Sequence, residues 1–267
     1  MATSELDQDR IVGLNEPEQP EEEEEEGATM SLVEHLEELR RRIIISAVAI
    51  VLFSIVAFIF REQILDLITL PLPNTALGLQ GVDVKQHLVI DTVGGSFTVF
   101  LKLSVAAGIA ASAPVLLYQV WAFVAPGLTR RERKWAGPFV LVGVVLFFIG
   151  IVVGFLTLRF PVQFLVNFGQ GDFLELVTAD NYFTFVAFFL LAFGIVFELP
   201  LILTFLAQIG VVSSQMLRKK RAVALITLWI LSTVLTPGTD PYSPVILGAA
   251  MTVLFELSII MIRITKK

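Results

Sequence analysis

Residues 40–61 read RRRIIISAVAIVLFSIVAFIFR, three arginines followed by eighteen uncharged residues and one more arginine. An α-helix rises about 1.5 Å per residue and needs about 20 mostly apolar residues to cross a hydrocarbon core of about 30 Å, so residues 43–60 predict a membrane-spanning helix. The same punctuation recurs along the chain. Uncharged runs lie between Lys102 and Arg130 and between Lys134 and Arg159; a fourth extends from 183 to about 210 with Glu198 as its one charge, a fifth covers 222–235, and a sixth covers 245–262 with Glu256 inside it. Six spans make the expected fold class all-α and integral to a membrane. The fifth run would reach only about 21 Å, so either protein shields it or the bilayer thins beside it.

Composition points the same way. With 55% hydrophobic and 16% charged residues and a mean hydropathy of +0.80, the chain is not a water-soluble domain. Its 22 Phe and 18 Gly suit spanning helices, where Phe is favourable in hydrocarbon and Gly permits close packing. The absence of cysteine excludes disulfides, thiolate metal sites, iron–sulfur clusters and Cys nucleophiles, and two histidines leave little for zinc or haem. There is no H-E-x-x-H, no G-x-S-x-G and no Walker lysine, and Asp240 and Glu198 belong to different depths. Neither an enzyme nor a cofactor is expected.

Charge divides the chain in two. Before Met30, eleven acids (Glu5, Asp7, Asp9, Glu16, Glu18 and the run 21–26) face one base, Arg10, which leaves the tail at −10; the remaining 14 acids and 18 bases make the body +4. The tail, 1–29, has two prolines and no apolar periodicity, and it reads as a disordered, solvated spacer rather than a signal peptide. Residues 30–267 form the membrane domain. Its bases gather at Arg40, Arg41, Arg42; at Arg130, Arg131, Arg133, Lys134; at Arg218, Lys219, Lys220, Arg221; and at Arg263, Lys266, Lys267. The alternate loops carry only Arg61, Lys85 and Arg159, so the positive-inside rule puts both termini in the cytoplasm. The two outer loops, about 61–96 and 159–182, are long enough to fold over the outer mouth of the bundle. No internal repeat and no matched pair of broken helices marks the chain as a secondary transporter.

Four groups of residues could carry function. Ser31 and Glu34 can form a capping box that opens an amphipathic helix with Leu32, Leu36, Leu39 and Ile43 on one side and Glu37, Glu38, Arg41 and Arg42 on the other. There Glu38 reads most simply as an i,i+4 partner of Arg42. The loop after span two reads PGLTRRERK over 126–134, and Glu132, its single acid, reads alone as local charge neutralisation. Tyr118 and Trp121 fit an interfacial belt, while Lys102 and Glu256 fit snorkelling side chains near span ends. Glu198 differs from these. A carboxylate deep in a span rarely faces lipid, and Pro200 two residues later frees the carbonyl of Val196 and kinks the helix, so Glu198 reads as functional.

Taken together, His35 to Arg40 (HLEELR), residues 112–128 (SAPVLLYQVWAFVAPGL) followed by Glu132-Arg133-Lys134, then Phe197-Glu198-Leu199-Pro200, and Leu235-Thr236-Pro237 before Asp240 resemble the TatC family. That family is the polytopic core and signal-peptide receptor of the twin-arginine translocation system. The resemblance covers all six spans and implies a six-helix, concave, glove-like bundle. It implies that the chain lies in the bacterial cytoplasmic membrane and, with TatA/TatB-type single-span partners and in a homo-oligomeric assembly of receptor complexes, exports folded proteins on the protonmotive force. Glu38 and Glu132 match the family's two cytoplasmic acids implicated in recognising the arginine pair. The chemistry suits them, because a carboxylate holds a guanidinium in a bidentate fork. Glu198 matches the family's intramembrane acid, placed to contact a polar group on a partner helix. Pro71, Phe123 and Asp240 fall on characteristic family positions with structural or assembly roles. The acidic tail has no counterpart in the family pattern. The competing expectation is a secondary transporter of small solutes that uses Glu198 as a proton carrier; no nucleic-acid partner is expected.

Overall fold

A computed structural model describes residues 32–72, 88–125, 136–168, 177–238 and 240–265. The acidic tail and Ser31 lie outside the described residues, as does Glu132. Ten helices are described: α1 (Leu32–Ile59), α2 (Arg61–Thr69), α3 (Gly95–Val124), α4 (Ala136–Thr157), α5 (Arg159–Asn167), α6 (Ala179–Val196), α7 (Leu199–Gln208), α8 (Ser214–Lys219), α9 (Arg221–Leu235) and α10 (Tyr242–Thr265). Five apolar stretches are long enough to cross a membrane, Val33–Ile59, Gly95–Val124, Gly137–Asn167, Ala179–Gln208 and Tyr242–Ile264, and Arg221–Leu235 is a shorter sixth. The amphipathic lead and the first span are one continuous helix of 28 residues.

Proline sets where the third and fourth spans break. Pro161 cannot donate to the carbonyl of Thr157, and the third span breaks between α4 and α5 at Leu158. Pro200 does the same to Val196, and the fourth span breaks between α6 and α7 at Phe197 and Glu198. The breaks lie at different ends of their spans, so they are not the matched pair of a transporter.

α6 is the inner helix. Val186, Phe189 and Phe193 on it are essentially inaccessible, and they meet Leu103 of α3, Leu158, and Leu247 and Met251 of α10. Glycines let α4 approach α6 closely: a Cβ on Gly150 would lie 2.6 Å from the Phe193 carbonyl oxygen, one on Gly154 2.9 Å from the Phe193 side chain, and one on Gly194 2.7 Å from the Phe147 ring. α1 packs chiefly on α3, where a Cβ on Gly108 would collide with Ser54. The rest of α1 faces outward, with only 6% of its apolar window buried, as a lipid-facing helix requires. Neighbour relations then run from α1 through α3 to α4 and α6, on to α7 and α10, and end at α9. α9 rests on α10 and exposes Val223, Ile226, Ile230 and Val234. Among the described residues, then, only the α10 side of the short span is covered by protein.

At the end where α3 and α6 begin, the segments that precede them meet. The Val89 N–H donates to the Val177 carbonyl (3.1 Å) and the Ala179 N–H to the Val89 carbonyl (3.0 Å), an isolated bridge between segments that precede α3 and α6. The Tyr182 hydroxyl donates to the Ile68 carbonyl at 2.8 Å and fixes α2 on α6. Pro71 sits in the turn closed by the Leu72 N–H on the Thr69 carbonyl (3.1 Å), which drops Leu72 into the core. The Arg61 guanidinium covers the Phe58 and Phe100 rings at 5.3 and 5.7 Å.

Candidate functional site

Two polar sites are built into this apolar frame. The first lies where the N-terminal turns of α1 cross the C-terminal turns of α3. His35, Glu38 and Arg42 recur at spacings of three and four and so share one face of α1; Gln119 and Phe123 are four apart on α3. The His35 ring stacks on Phe123, centroids 4.4 Å apart and planes 22° from parallel. One turn further in, Arg42 Nη2 donates to Glu38 Oε1 at 3.0 Å and Nη1 donates to Gln119 Oε1 at 2.9 Å. The two charged side chains are only 16% (Glu38) and 25% (Arg42) exposed, and Glu38 Oε2 and Arg42 Nε are buried without a partner. Glu38 is therefore the i,i+4 partner of Arg42 that the spacing predicts, and it is also a carboxylate with half its accepting capacity unused.

Gln119 was not singled out from the sequence, yet it completes this site. A signal was available, because an amide in an uncharged span needs polar partners. How Glu132 stands to Glu38 lies outside the described residues.

The second site is Glu198, 7% exposed, at the break between α6 and α7. Its N–H donates to the Ile195 carbonyl at 3.1 Å and its carbonyl accepts from the Ile202 N–H at 2.9 Å, so its own backbone groups are both paired at the break. The side chain is not. Oε1 is buried with no partner, while Oε2 faces α4, where a Cβ added to Gly143 would lie 3.1 Å from it and 3.4 Å from Leu117 of α3. Because the span starts at Ala179 rather than at 183, Glu198 lies about 28 Å along it, farther than the 22 Å or so that the uncharged run suggests and about 15 Å from its other end at Gln208. Below it Trp121 packs against Phe139 and Phe205 at 4.9 and 4.6 Å and against Leu201. Trp121 is thus a core residue at 9% exposure and not part of an interfacial belt, whereas Tyr118, 56% exposed, fits one.

The other singled-out residues are engaged within the chain. Asp240, 3% exposed, accepts from the Ser243 N–H at 2.6 Å and from the Ser243 hydroxyl at 2.7 Å, and so caps the start of α10. Lys102 is no free snorkelling lysine: Nζ lies 2.7 and 2.8 Å from the two Asp180 oxygens and ties α3 to α6. Glu256 likewise holds Arg221 through Nε and Nη2, both at 2.5 Å, a fork between α10 and the start of α9. Among the described residues no group of three His, Cys, Asp or Glu side chains is placed to hold a metal ion.

Comparison with known proteins gives one answer. Residues 34–250 match the model of the family described as TatC, Sec-independent protein translocase protein. The chain is 38% identical over 242 residues to the Sec-independent protein translocase protein TatC of Carboxydothermus hydrogenoformans, covering 90% of this chain and 96% of that one. It is 36% identical over 238 residues to the TatC protein of Deinococcus radiodurans, covering 89% and 87%. Among solved structures it is similar to a crystal structure of a twin arginine translocase receptor, TatC, with a TM-score of 0.72, 28% identity, and coverage of 88% of this chain and 100% of that one.

Proposed function

We propose, because the chain belongs to the TatC family of Sec-independent protein translocase proteins, that it is the subunit that receives twin-arginine signal peptides and passes folded cargo across the membrane. It does so without covalent chemistry of its own, in a homo-oligomeric complex with single-span partners and on the protonmotive force. The membrane is the bacterial cytoplasmic membrane, with both termini inside. Since the family is one of protein translocases, the small-solute transporter reading is not carried forward.

The observation that carries the proposal is Glu38: a largely covered carboxylate, held between α1 and α3, with one oxygen unpartnered. A carboxylate so placed is suited to a guanidinium, and the matching acid in the 126–134 loop, Glu132, supplies the second for an Arg-Arg pair. Glu38→Ala and Glu132→Ala are each expected to weaken peptide binding by about 1.5 to 3 kcal/mol, the range for a hydrogen bond to a charged group. The test is site-specific photocrosslinking of an Arg-Arg signal peptide and its Lys-Lys twin to membranes holding the full chain, with probes flanking Glu38 and Glu132. Arginine-dependent crosslinks at both places are expected. Equal crosslinking of the twins, or none with the protein inserted, would remove the receptor assignment.

A further inference from the structure

We propose that Arg42 is an internal competitor of the signal peptide: its guanidinium occupies Glu38 in the resting protein and must withdraw onto Gln119 before a peptide arginine can bind. The inference rests on the reading that Glu38 receives such an arginine. Three features of the contact support it. Arg42 and Glu38 could form two parallel bonds, yet they form one, Nη2 to Oε1 at 3.0 Å. The second terminal nitrogen is already given to Gln119 Oε1 at 2.9 Å, on another helix. Oε2 of Glu38 is left covered and bare.

Arg42 is thus shared between a charged and a neutral acceptor. Withdrawing it from Glu38 does not strand a buried cation, since Gln119, itself 7% exposed and packed in place, keeps hold of it. An incoming guanidinium can then take both oxygens of Glu38 and satisfy the one that Arg42 leaves bare. The exchange has a definite thermodynamic form. Apparent affinity is the intrinsic affinity multiplied by the fraction of molecules with Glu38 released, so the latch lowers binding of every peptide that uses Glu38 by one common factor. Discrimination between arginine and lysine stays a property of Glu38 itself. What the latch supplies is a threshold that moves weak ligands below useful affinity while a bidentate pair still binds.

The test is binding of labelled Arg-Arg and Lys-Lys peptides to the full-length protein in lipid nanodiscs. Arg42→Gln is expected to tighten both peptides by the same factor, about five- to tenfold. Gln119→Leu removes the second resting place, so it is expected to weaken both, and to have no effect when added to Arg42→Gln. Arg41→Gln, which removes the same charge from an exposed neighbour, is expected to change binding much less. Weaker binding in Arg42→Gln, a change in only one of the twins, an equal gain in Arg41→Gln, or a Gln119→Leu effect that persists without Arg42 would each overturn the latch. Should Arg42→Gln fail to fold, the Gln119→Leu result still decides, because unchanged or tighter binding in that variant contradicts it. Glu38→Gln tests the underlying reading separately: if that variant binds peptide like the parent, it is the Glu38 assignment that fails.

Discussion

Glu198 and Glu38 are both carboxylates with an unpartnered buried oxygen, but their surroundings differ. Glu38 shares its face with an arginine and sits two turns from the start of α1, where charged partners abound. Among the described residues Glu198 pairs with no cation; it sits at a helix break, over the aromatic cluster of Trp121, Phe139 and Phe205. Leaving a buried acceptor empty costs about 1 to 3 kcal/mol, so an oxygen kept in this state suits a donor brought by another chain. Glu198→Ala is accordingly expected to leave signal-peptide binding intact and to reduce or redirect association with the single-span partner. Co-purification of that partner, quantified against the parent, checks it; unchanged recovery would argue that Glu198 is a structural side chain. Asp240 shows the contrast. It is more buried, but both its oxygens accept from Ser243, and that saturation is why it acts as a cap.

At the scale of helices, glycine placement sets how near Glu198 comes to its neighbours. α4 presents Gly143 toward Glu198, and Gly150 and Gly154 toward Phe193, so the interface that seats the acid is made by backbone approach rather than side-chain interlock. Gly137 on the same helix meets nothing within 4 Å of an added Cβ, which makes it an internal control. Ala for Gly raises helix propensity by about 0.8 to 1 kcal/mol at the interior position 150 and by less at Gly137, the second residue of α4 and the one before Pro138. At Gly150 the new methyl would meet the Phe193 carbonyl at 2.6 Å, and backbone cannot rotate away, so overpacking of about 1 to 3 kcal/mol outweighs the gain. Gly150→Ala should therefore lower the Tm of the purified protein while Gly137→Ala leaves it unchanged or raises it; a Gly150→Ala protein as stable as the Gly137→Ala one would show that the two helices separate easily. The spans themselves were legible in the sequence, because the cost of a charge in hydrocarbon is local and each basic cluster marks a boundary directly. The kink at Glu198 was legible for the same reason, since Pro200 acts four residues back along its own helix. What could not be read were the cross-helix ties: Arg42 with Gln119 and Lys102 with Asp180 join residues 77 and 78 apart, and no local pattern encodes which face of one helix meets which face of another. The cap at Asp240 lies between these cases, because an Asp three residues before a Ser at the head of an apolar run is a readable start signal.

For the whole molecule, orientation follows from where positive charge is concentrated. Arg40, Arg41 and Arg42 lie in the first turns of α1, and Arg218 to Arg221 lie across α8 and the start of α9; both groups stand at the ends opposite the Val89–Thr178 bridge. The bridge end carries few bases, and the described ones are engaged: Arg61 covers two phenylalanine rings and Lys102 is chelated by Asp180. The positive-inside rule counts Lys and Arg in short loops and does not depend on net charge, so the strongly acidic tail before α1 does not reverse it. The rule therefore predicts that the bridge end faces outside and both chain termini face the cytoplasm. The native chain contains no cysteine, so single-cysteine variants need no background removal. Val93→Cys, at a fully exposed position just before α3, should react with a membrane-impermeant maleimide in intact cells, whereas Lys219→Cys should react only after the membrane is opened. Labelling of Lys219→Cys from outside would invert the topology. Glu38 and Glu132 would then both face away from the compartment in which signal peptides are made, and the receptor function and the Arg42 latch would fall with it.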